Sequence, residues 1–168
     1  QGNPNLKVER ANNREVGLQY ERAGTQAGLT LYRNRVSDLL NYVPAFVFPF
    51  LGQYENVGQA TLKGASLTLA HGFGNWNLRA GMDYLSAKDD LSGRALQRRV
   101  PRTANVELSY RQGAWETGVQ LFGYSGHYND SGNTQWLGGY ALTNVFATYR
   151  VDAAWSVVGR ASNVFDRK

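Results

Sequence analysis

Cysteine is absent from this chain. That excludes a disulfide framework, a thiolate metal site and a thiol nucleophile. No run of about 18 apolar residues occurs either, so no transmembrane helix is expected. A mean hydropathy of -0.45, with 42% hydrophobic residues, is too polar for a helical membrane protein. Histidine is scarce: there are 2, His71 and His127, and they are not spaced as a metal pair. His71 is expected in a short turn and His127 in a long loop. There is no GxSxG or P-loop string, and the carboxylates show no pairing suited to acid–base work. Ser125-Gly126-His127 is not read as a nucleophile with its base. Asp89 and Asp90 read as solvated loop residues and not as a calcium site. The chain is therefore expected to be no enzyme and to carry no metal and no cofactor.

Charge is unbalanced, with a formal net charge of +5. Basic residues interleaved with aromatics can track phosphates, which raises a nucleic-acid partner. The charges do not cluster in that way. They are spread over turns, loops and the polar faces of segments, and the densest group is Arg94, Arg98, Arg99 and Arg102 in one connection. Solvated loop and lumen charge explains them better, and no nucleic acid is expected. Rim cations could also meet anionic lipid headgroups.

What the chain does have is alternation. Apolar and polar residues take turns through about eight segments, joined by short and long connections. The first strand is expected over roughly Arg14 to Glu21, with Val16, Leu18 and Tyr20 opposite Glu15, Gly17 and Gln19. The second spans about Gln26 to Val36, with Ala27, Leu29 and Leu31 opposite Thr30, Tyr32 and Asn34. A long connection follows, Leu39 to Tyr54. Its Pro44 and Pro49 cannot donate to a ladder and argue against a central strand there. The third strand runs from about Asn56 to Ala70. Its parity slips between Ala60-Leu62 and Ala65-Leu67-Leu69, which predicts a β-bulge near Lys63-Gly64.

After the turn HGFGN, the fourth strand places Trp76, Leu78, Ala80, Met82 and Tyr84 opposite Asn77, Arg79, Gly81 and Asp83. The long run Ser86 to Arg102 leads to the fifth, Ala104 to Arg111, the cleanest alternation in the chain. The sixth carries Trp115, Thr117, Val119 and Leu121 against Glu116, Gly118 and Gln120. The turn-rich string GYSGHYNDSGNTQWLGG separates it from the seventh, about Tyr140 to Tyr149. There Thr143, Val145, Ala147 and Tyr149 are expected outward. The eighth follows Val151 to Ala154, with Trp155, Val157, Gly159 and Ala161 against Ser156, Arg160 and Ser162.

Tight turns at one rim and long loops at the other, on a sheet with one apolar face, is the pattern of an up-and-down antiparallel barrel in an outer membrane. A strand of that kind needs only about 10 residues, every second one facing lipid. Aromatics make up 12%. Trp76, Trp115 and Trp155 each follow a short turn, as expected of an interfacial girdle. On the loop side, Tyr54, Arg98, Arg99, Tyr124, His127, Tyr128 and Trp136 are the candidate ligand contacts. Loops on a rigid scaffold are where binding concentrates, and flat rings with hydrogen-bonding edges suit a large ligand.

Particular stretches then acquire a resemblance. NPNLKVER at Asn3 to Arg10 is similar to the NPxLKPE signature of TonB-dependent outer-membrane receptors. LYRNRVSDLL at Leu31 to Leu40 resembles the strand that follows it. YENVGQATLKGASLTL at Tyr54 to Leu69 resembles the family's Y-x-N-x-G-x-A-x-x-x-G-x-E strand. LQRRVPRTANVELSY at Leu96 to Tyr110 resembles its R-x-P-x-H-x-x-N segment, and NVFDRK at Asn163 to Lys168 its NLFDK box. The loop lengths look most like the cobalamin-receptor branch. Ser66 stands where Glu is usual, and Thr103 where His is common.

The resemblance implies the later part of a barrel of about 22 strands with a plugged lumen. It implies that the plug, the early strands and the final strand lie outside residues 1–168, which form one partial domain. It also implies a transport receptor of the bacterial outer membrane. The partners implied are the lipid bilayer, lipopolysaccharide, a TonB-type energising protein and a bulky nutrient. That nutrient would be cobalamin or another corrinoid, with a ferric siderophore or haem as the alternative. Two other architectures remain open at this point: a complete eight-stranded membrane barrel, and a soluble all-β binding protein.

Overall fold

The computed structural model describes residues 3–43, 52–56 and 58–167. Among them every regular element is a strand. In chain order these are β1 (Arg10–Arg22), β2 (Thr25–Ser37), β3 (Leu40–Val43), β4 (Gln53–Asn56), β5 (Gln59–Phe73), β6 (Trp76–Asp89), β7 (Arg102–Gln112), β8 (Trp115–Tyr124), β9 (His127–Tyr128), β10 (Trp136–Leu137), β11 (Tyr140–Arg150) and β12 (Ser156–Ala161). No helix is long and apolar enough to cross a membrane among the described residues.

Eight strands make one antiparallel sheet in the order β1-β2-β5-β6-β7-β8-β11-β12. Sequence neighbours are sheet neighbours, so the expected up-and-down topology holds. The sheet is open: β1 and β12 are its edges, and no pairing joins them among the described residues. This removes the eight-stranded closed barrel for the described chain. The strands are longer than alternation suggested. β6 runs on to Asp89 and β8 to Tyr124, because ladder bonds continue where the apolar pattern stops.

Two small hairpins stand outside the sheet. β3 pairs with β4, and β9 with β10, both within connections expected to be irregular. Pro44 and Pro49 lie outside the described residues.

The turn end is built by local chemistry. Arg22 pairs with Thr25, leaving Ala23 (φ 48°) and Gly24 (φ 75°) as a two-residue turn. Positive φ at both central positions matches the right-handed twist of the flanking strands. Phe73 pairs with Trp76 and Gln112 with Trp115, around Gly74 and Gly113. In the last short turn, Asp152 Oδ1 accepts the amides of Ala154 (2.7 Å) and Trp155 (2.8 Å).

Register settles the two faces. Leu29 pairs with Leu67, Leu67 with Met82, Ala80 with Val106, Val106 with Leu121, and Tyr149 with Val157. Leu29, Leu31, Val106, Leu108, Val119 and Val157 thus share the outward face. Asn105, Glu107, Glu116 and Arg160 share the inner one, as the alternation predicted. Phe146 points inward, and the reason is opposite it. Its partner is Gly118, and a Cβ there would lie 2.5 Å from Phe146 Cε1. The glycine leaves the space in which the ring lies.

The bulge expected at Lys63-Gly64 is absent. β5 pairs without a break with β2, from Thr25–His71 to Ser37–Gln59, and with β6, from Ala60–Asp89 to Phe73–Trp76. The parity slip has another cause. Near the loop end the dry side of the wall is the inner one. Val36, Ala60 and Ala87 are buried there, at 6%, 1% and 7% exposure, and they share that face with Leu62. Gly64 serves space and not backbone freedom. A Cβ there would meet the Tyr84 carbonyl and come within 2.5 Å of Tyr32 Oη. His71 is not in the turn but near the end of β5, where its Nδ1 and Thr25 Oγ1 are 2.8 Å apart.

Candidate functional site

The inner face carries a polar network. Arg79 Nη1 lies 3.0 Å from Glu107 Oε1, and Gln120 Nε2 donates to Glu107 Oε2 at 2.6 Å. Arg111 pairs with Glu116 at 2.6 Å. Asp83 accepts from both residues that depart from the resembled pattern, Ser66 (2.6 Å) and Thr103 (3.2 Å). The Arg79 side chain is 71% exposed, so this pair adds little stability. Such a row needs water beside it, which an apolar core would not provide.

The outward aromatics gather at the short-turn rim. Trp76 meets Tyr110 at 4.8 Å between ring centroids, and Trp115 meets Tyr149 at 4.7 Å. Phe73 and Trp155 stand on the same face and rim. Trp76 and Trp115 thus lie at one rim and face outward, as their places after short turns predicted.

The candidate ligand residues all lie toward the opposite, loop end, but in separate groups. One group is well tied. Arg98, with φ 56°, donates its amide to the Tyr128 carbonyl at 2.7 Å. Its Nε donates to Asn129 Oδ1 at 3.2 Å. Tyr128 sits opposite Trp136 in the β9–β10 hairpin, ring centroids 5.0 Å apart at 74°. His127 is on the next rung, opposite Leu137. Gly126 is buried beneath this hairpin, and a Cβ on it would lie 2.5 Å from Trp136 Cζ2. Tyr124 closes the top of β8 against Tyr140, 5.0 Å between centroids. Arg99 is exposed beside Arg98. Tyr54 belongs elsewhere: in the β3–β4 hairpin it meets Tyr42 edge-on at 5.7 Å.

Alternation could not reveal the residues that hold the loops. Asn133 (φ 57°) donates to the Ala95 carbonyl at 2.9 Å and accepts the Ala95 amide at 2.8 Å. This amide joins the β6–β7 loop to the β8–β11 connection. Asp130 accepts from the amides of Gln135 (2.7 Å) and Thr134 (3.0 Å) and from the Thr134 hydroxyl (3.0 Å). Its carboxyl is held below the usual carboxylate range. The Gln135 amide is the largest cause, partial burial opposes it, and Thr134 adds to it. Asn56 bonds both ways to Lys7, accepting its amide at 2.8 Å and donating to its carbonyl at 3.1 Å. It also donates to the Asp38 carbonyl at 2.6 Å. Asn3 reaches the Tyr54 carbonyl at 3.0 Å. The one signal for these roles was the density of Asn, Asp and Gly in the connections.

Asn56 and Asn3 interlock the two strings NPNLK and YENVG. A family model described as "TonB dependent receptor-like, beta-barrel" matches residues 1–164. The chain belongs to the TonB-dependent receptor β-barrel family. It is 32% identical over 168 residues to the vitamin B12 transporter BtuB of Photobacterium profundum, covering 99% of this chain and 28% of that protein. Among solved structures it resembles the copper transporter OprC, with a TM-score of 0.85, 23% identity, and coverage of 98% of this chain and 26% of that one. It also resembles the siderophore receptor PirA from Acinetobacter baumannii, with a TM-score of 0.77, 20% identity, and coverage of 99% and 29%. The chain therefore spans less than a third of the length of these relatives. Membership places it in the bacterial outer membrane. In outer-membrane barrels the outward apolar face meets lipid, the short turns are periplasmic and the long loops are extracellular.

Proposed function

We propose that the protein carrying this chain is an active-transport receptor for a bulky, scarce nutrient, a corrinoid such as cobalamin. The observation that carries this reading is the 32% identity to a vitamin B12 transporter across 99% of the chain. The extracellular loops supply suitable chemistry. The Tyr128–Trp136 and Tyr124–Tyr140 pairs offer ring faces, and Arg98, Arg99 and His127 offer donors. A corrinoid is broad and amide-rich, so it suits both. Tyr54 would contact it from the β3–β4 hairpin. In this reading the loops capture the nutrient, which then passes a plug moved by a TonB-type protein in the periplasm. The plug, the early strands and a closing strand are assigned to the rest of a barrel of about 22 strands. Two unpaired edges support that division, since lipid does not tolerate unpaired backbone. Expressed alone, residues 1–168 should aggregate or pair with another copy. A monomeric closed barrel would overturn this division.

A ferric siderophore or haem is the second reading. The adjacent cations Arg98 and Arg99 at the loop cluster favour it, because an anionic chelate would meet them well. Calorimetry on the full-length protein with cobalamin, haem and a ferric siderophore separates the two. Cobalamin binding that survives replacement of Tyr124, His127 and Trp136 together by alanine would remove the site assignment. Binding of a ferric chelate alone would replace the corrinoid.

A further inference from the structure

The long loops are tied to one another in two separate groups. The first joins the segment before β1 to the β3–β4 hairpin, and Asn56 is its clasp. The Asn56 side chain accepts the Lys7 amide at 2.8 Å and donates to the carbonyls of Lys7 (3.1 Å) and Asp38 (2.6 Å). Asn3 adds a bond to the Tyr54 carbonyl at 3.0 Å, and Glu9 accepts the Leu40 amide at 3.4 Å. The second group joins the β6–β7 loop to the β8–β11 connection, and Asn133 is its clasp. It holds the amide and the carbonyl of Ala95 at 2.8 and 2.9 Å. The Arg98 amide donates to the Tyr128 carbonyl at 2.7 Å, and the Ser125 amide to the Arg102 carbonyl at 2.9 Å. The Ser125 hydroxyl takes the Arg102 amide in return, at 3.0 Å.

Contacts between the groups are of another kind. Among the described residues, the hydrogen bonds that cross sit at the base, where β5 and β6 end. There Asp90 donates its amide to the Gln59 carbonyl at 2.8 Å and accepts the Thr61 hydroxyl at 2.9 Å. Above that rung Leu91 rests on Gly58, where a Cβ would lie 2.6 Å from Leu91 Cδ1. Gly58 has φ 50°, and Leu91 is otherwise 82% exposed. Apolar contact has no preferred direction, so two bodies can turn on it, whereas an amide bonded on both sides fixes geometry. The candidate ligand residues divide in the same way. Tyr54 lies in the first group; Arg98, Tyr128 and Trp136 lie in the second, with His127 beside them. A ligand that touches Tyr54 and Trp136 together has to bridge the two.

We infer that the long loops work as two jaws, with Asn56 and Asn133 as their positioning residues, and that a bulky ligand is held between them. Each jaw is one body made of two loops, and the jaws turn on the Leu91–Gly58 contact. Breaking one clasp therefore loosens both loops of its own jaw and leaves the other jaw as it was. The jaws follow from the chain's own bonds; the ligand between them rests on the receptor reading above.

Hydrogen exchange read by mass spectrometry on the full-length protein in detergent tests this. Asn133→Ala should speed exchange about tenfold in both the β6–β7 loop and the β9–β10 hairpin, since two bonds are lost. The segment before β1 and the β3–β4 hairpin should be unchanged. Asn56→Ala should show the reverse. Asn133→Asp and Asn56→Asp keep the acceptor and lose the donor, so they should fall between wild type and alanine. Should an alanine variant fail to fold, the aspartate variant at that position carries the comparison. Cobalamin should slow exchange in both jaws of the wild type, and each alanine variant should raise its dissociation rate severalfold. Loosening confined to the loop that carries the substituted asparagine overturns the jaws. So does equal loosening of both groups by either variant. Protection of a single group by cobalamin overturns the ligand between them. If the wild type does not bind cobalamin, the corrinoid reading fails; a ferric siderophore then becomes the probe in the same measurement, with the same outcomes deciding the jaws.

Discussion

The two ends of this wall use the same residue types for different work. At the periplasmic end, Trp76, Tyr110, Trp115 and Tyr149 pair ring to ring on the outward face, beside turns of two residues. At the extracellular end, Tyr128, Trp136, Tyr124 and Tyr140 also pair, but on hairpins and strand tops that run into loops. The first set is fixed by the ladder beneath it. In the second, Tyr124 and Tyr140 are a ladder pair at the strand tops, while around the Tyr128–Trp136 hairpin Asn133 and Asp130 bond backbone of the β6–β7 loop and of their own connection.

The strongest test breaks the wall that both ends share. Val106→Arg should destabilise the full-length protein by about 2–4 kcal/mol near the midplane, and Asn105→Arg by clearly less. Equilibrium unfolding in urea would check this, and a larger loss at Asn105 would invert the assigned faces. Next in size is the girdle. A double-mutant cycle on Trp115 and Tyr149 should give a coupling of about 0.5–1.5 kcal/mol. The same cycle on Tyr128 and Trp136 should leave global stability nearly unchanged and alter ligand affinity instead. Equal effects at both ends would erase the contrast.

A smaller effect concerns the loop ties. Asn133→Ala removes both bonds to Ala95, at about 0.5–1.5 kcal/mol each. Hydrogen exchange at the Ala95 amide should accelerate, while the amides of β7 and β8 stay protected. Unchanged exchange at Ala95 would show that the tie is not formed in solution. The smallest effect is in pH. The Asp130 carboxyl is depressed in the folded state, so its contribution is complete above the unfolded value near 4 and is lost as pH falls through the folded one. Tryptophan fluorescence of the β9–β10 hairpin should be constant from about pH 7 to 5 and change below about pH 4. Asp130→Asn should remove that acid step. A transition near neutrality would show that Asp130 does not control the hairpin.

Legibility followed the reach of the forces involved. Faces, the eight strands of the sheet and the short turns were readable because alternation and turn chemistry are local: Leu29 opposite Thr30, Gly24 after Ala23. The bulge near Lys63 failed for the converse reason. A parity slip records which side of the wall is dry, and at Ala60 and Leu62 the dry side had changed. Local pattern cannot distinguish that from an inserted residue. Of the candidate ligand residues, the structure ties Arg98, Tyr128 and Trp136 into one group, while Tyr54 stands apart on the β3–β4 hairpin.

By itself, the sequence determined that the chain would be a one-sidedly apolar antiparallel wall. Side-chain direction alternates with every residue, and each short turn forces the next strand back beside the last. Only the tertiary structure decided the register. Register brought Arg14, Arg33 and Lys63 from three strands onto one rung. It also set Gly118 under Phe146 and let Asn133 reach across to Ala95, 38 positions away. Over such separations the order of the chain carries no distance. Cross-strand hydrogen bonds supply it.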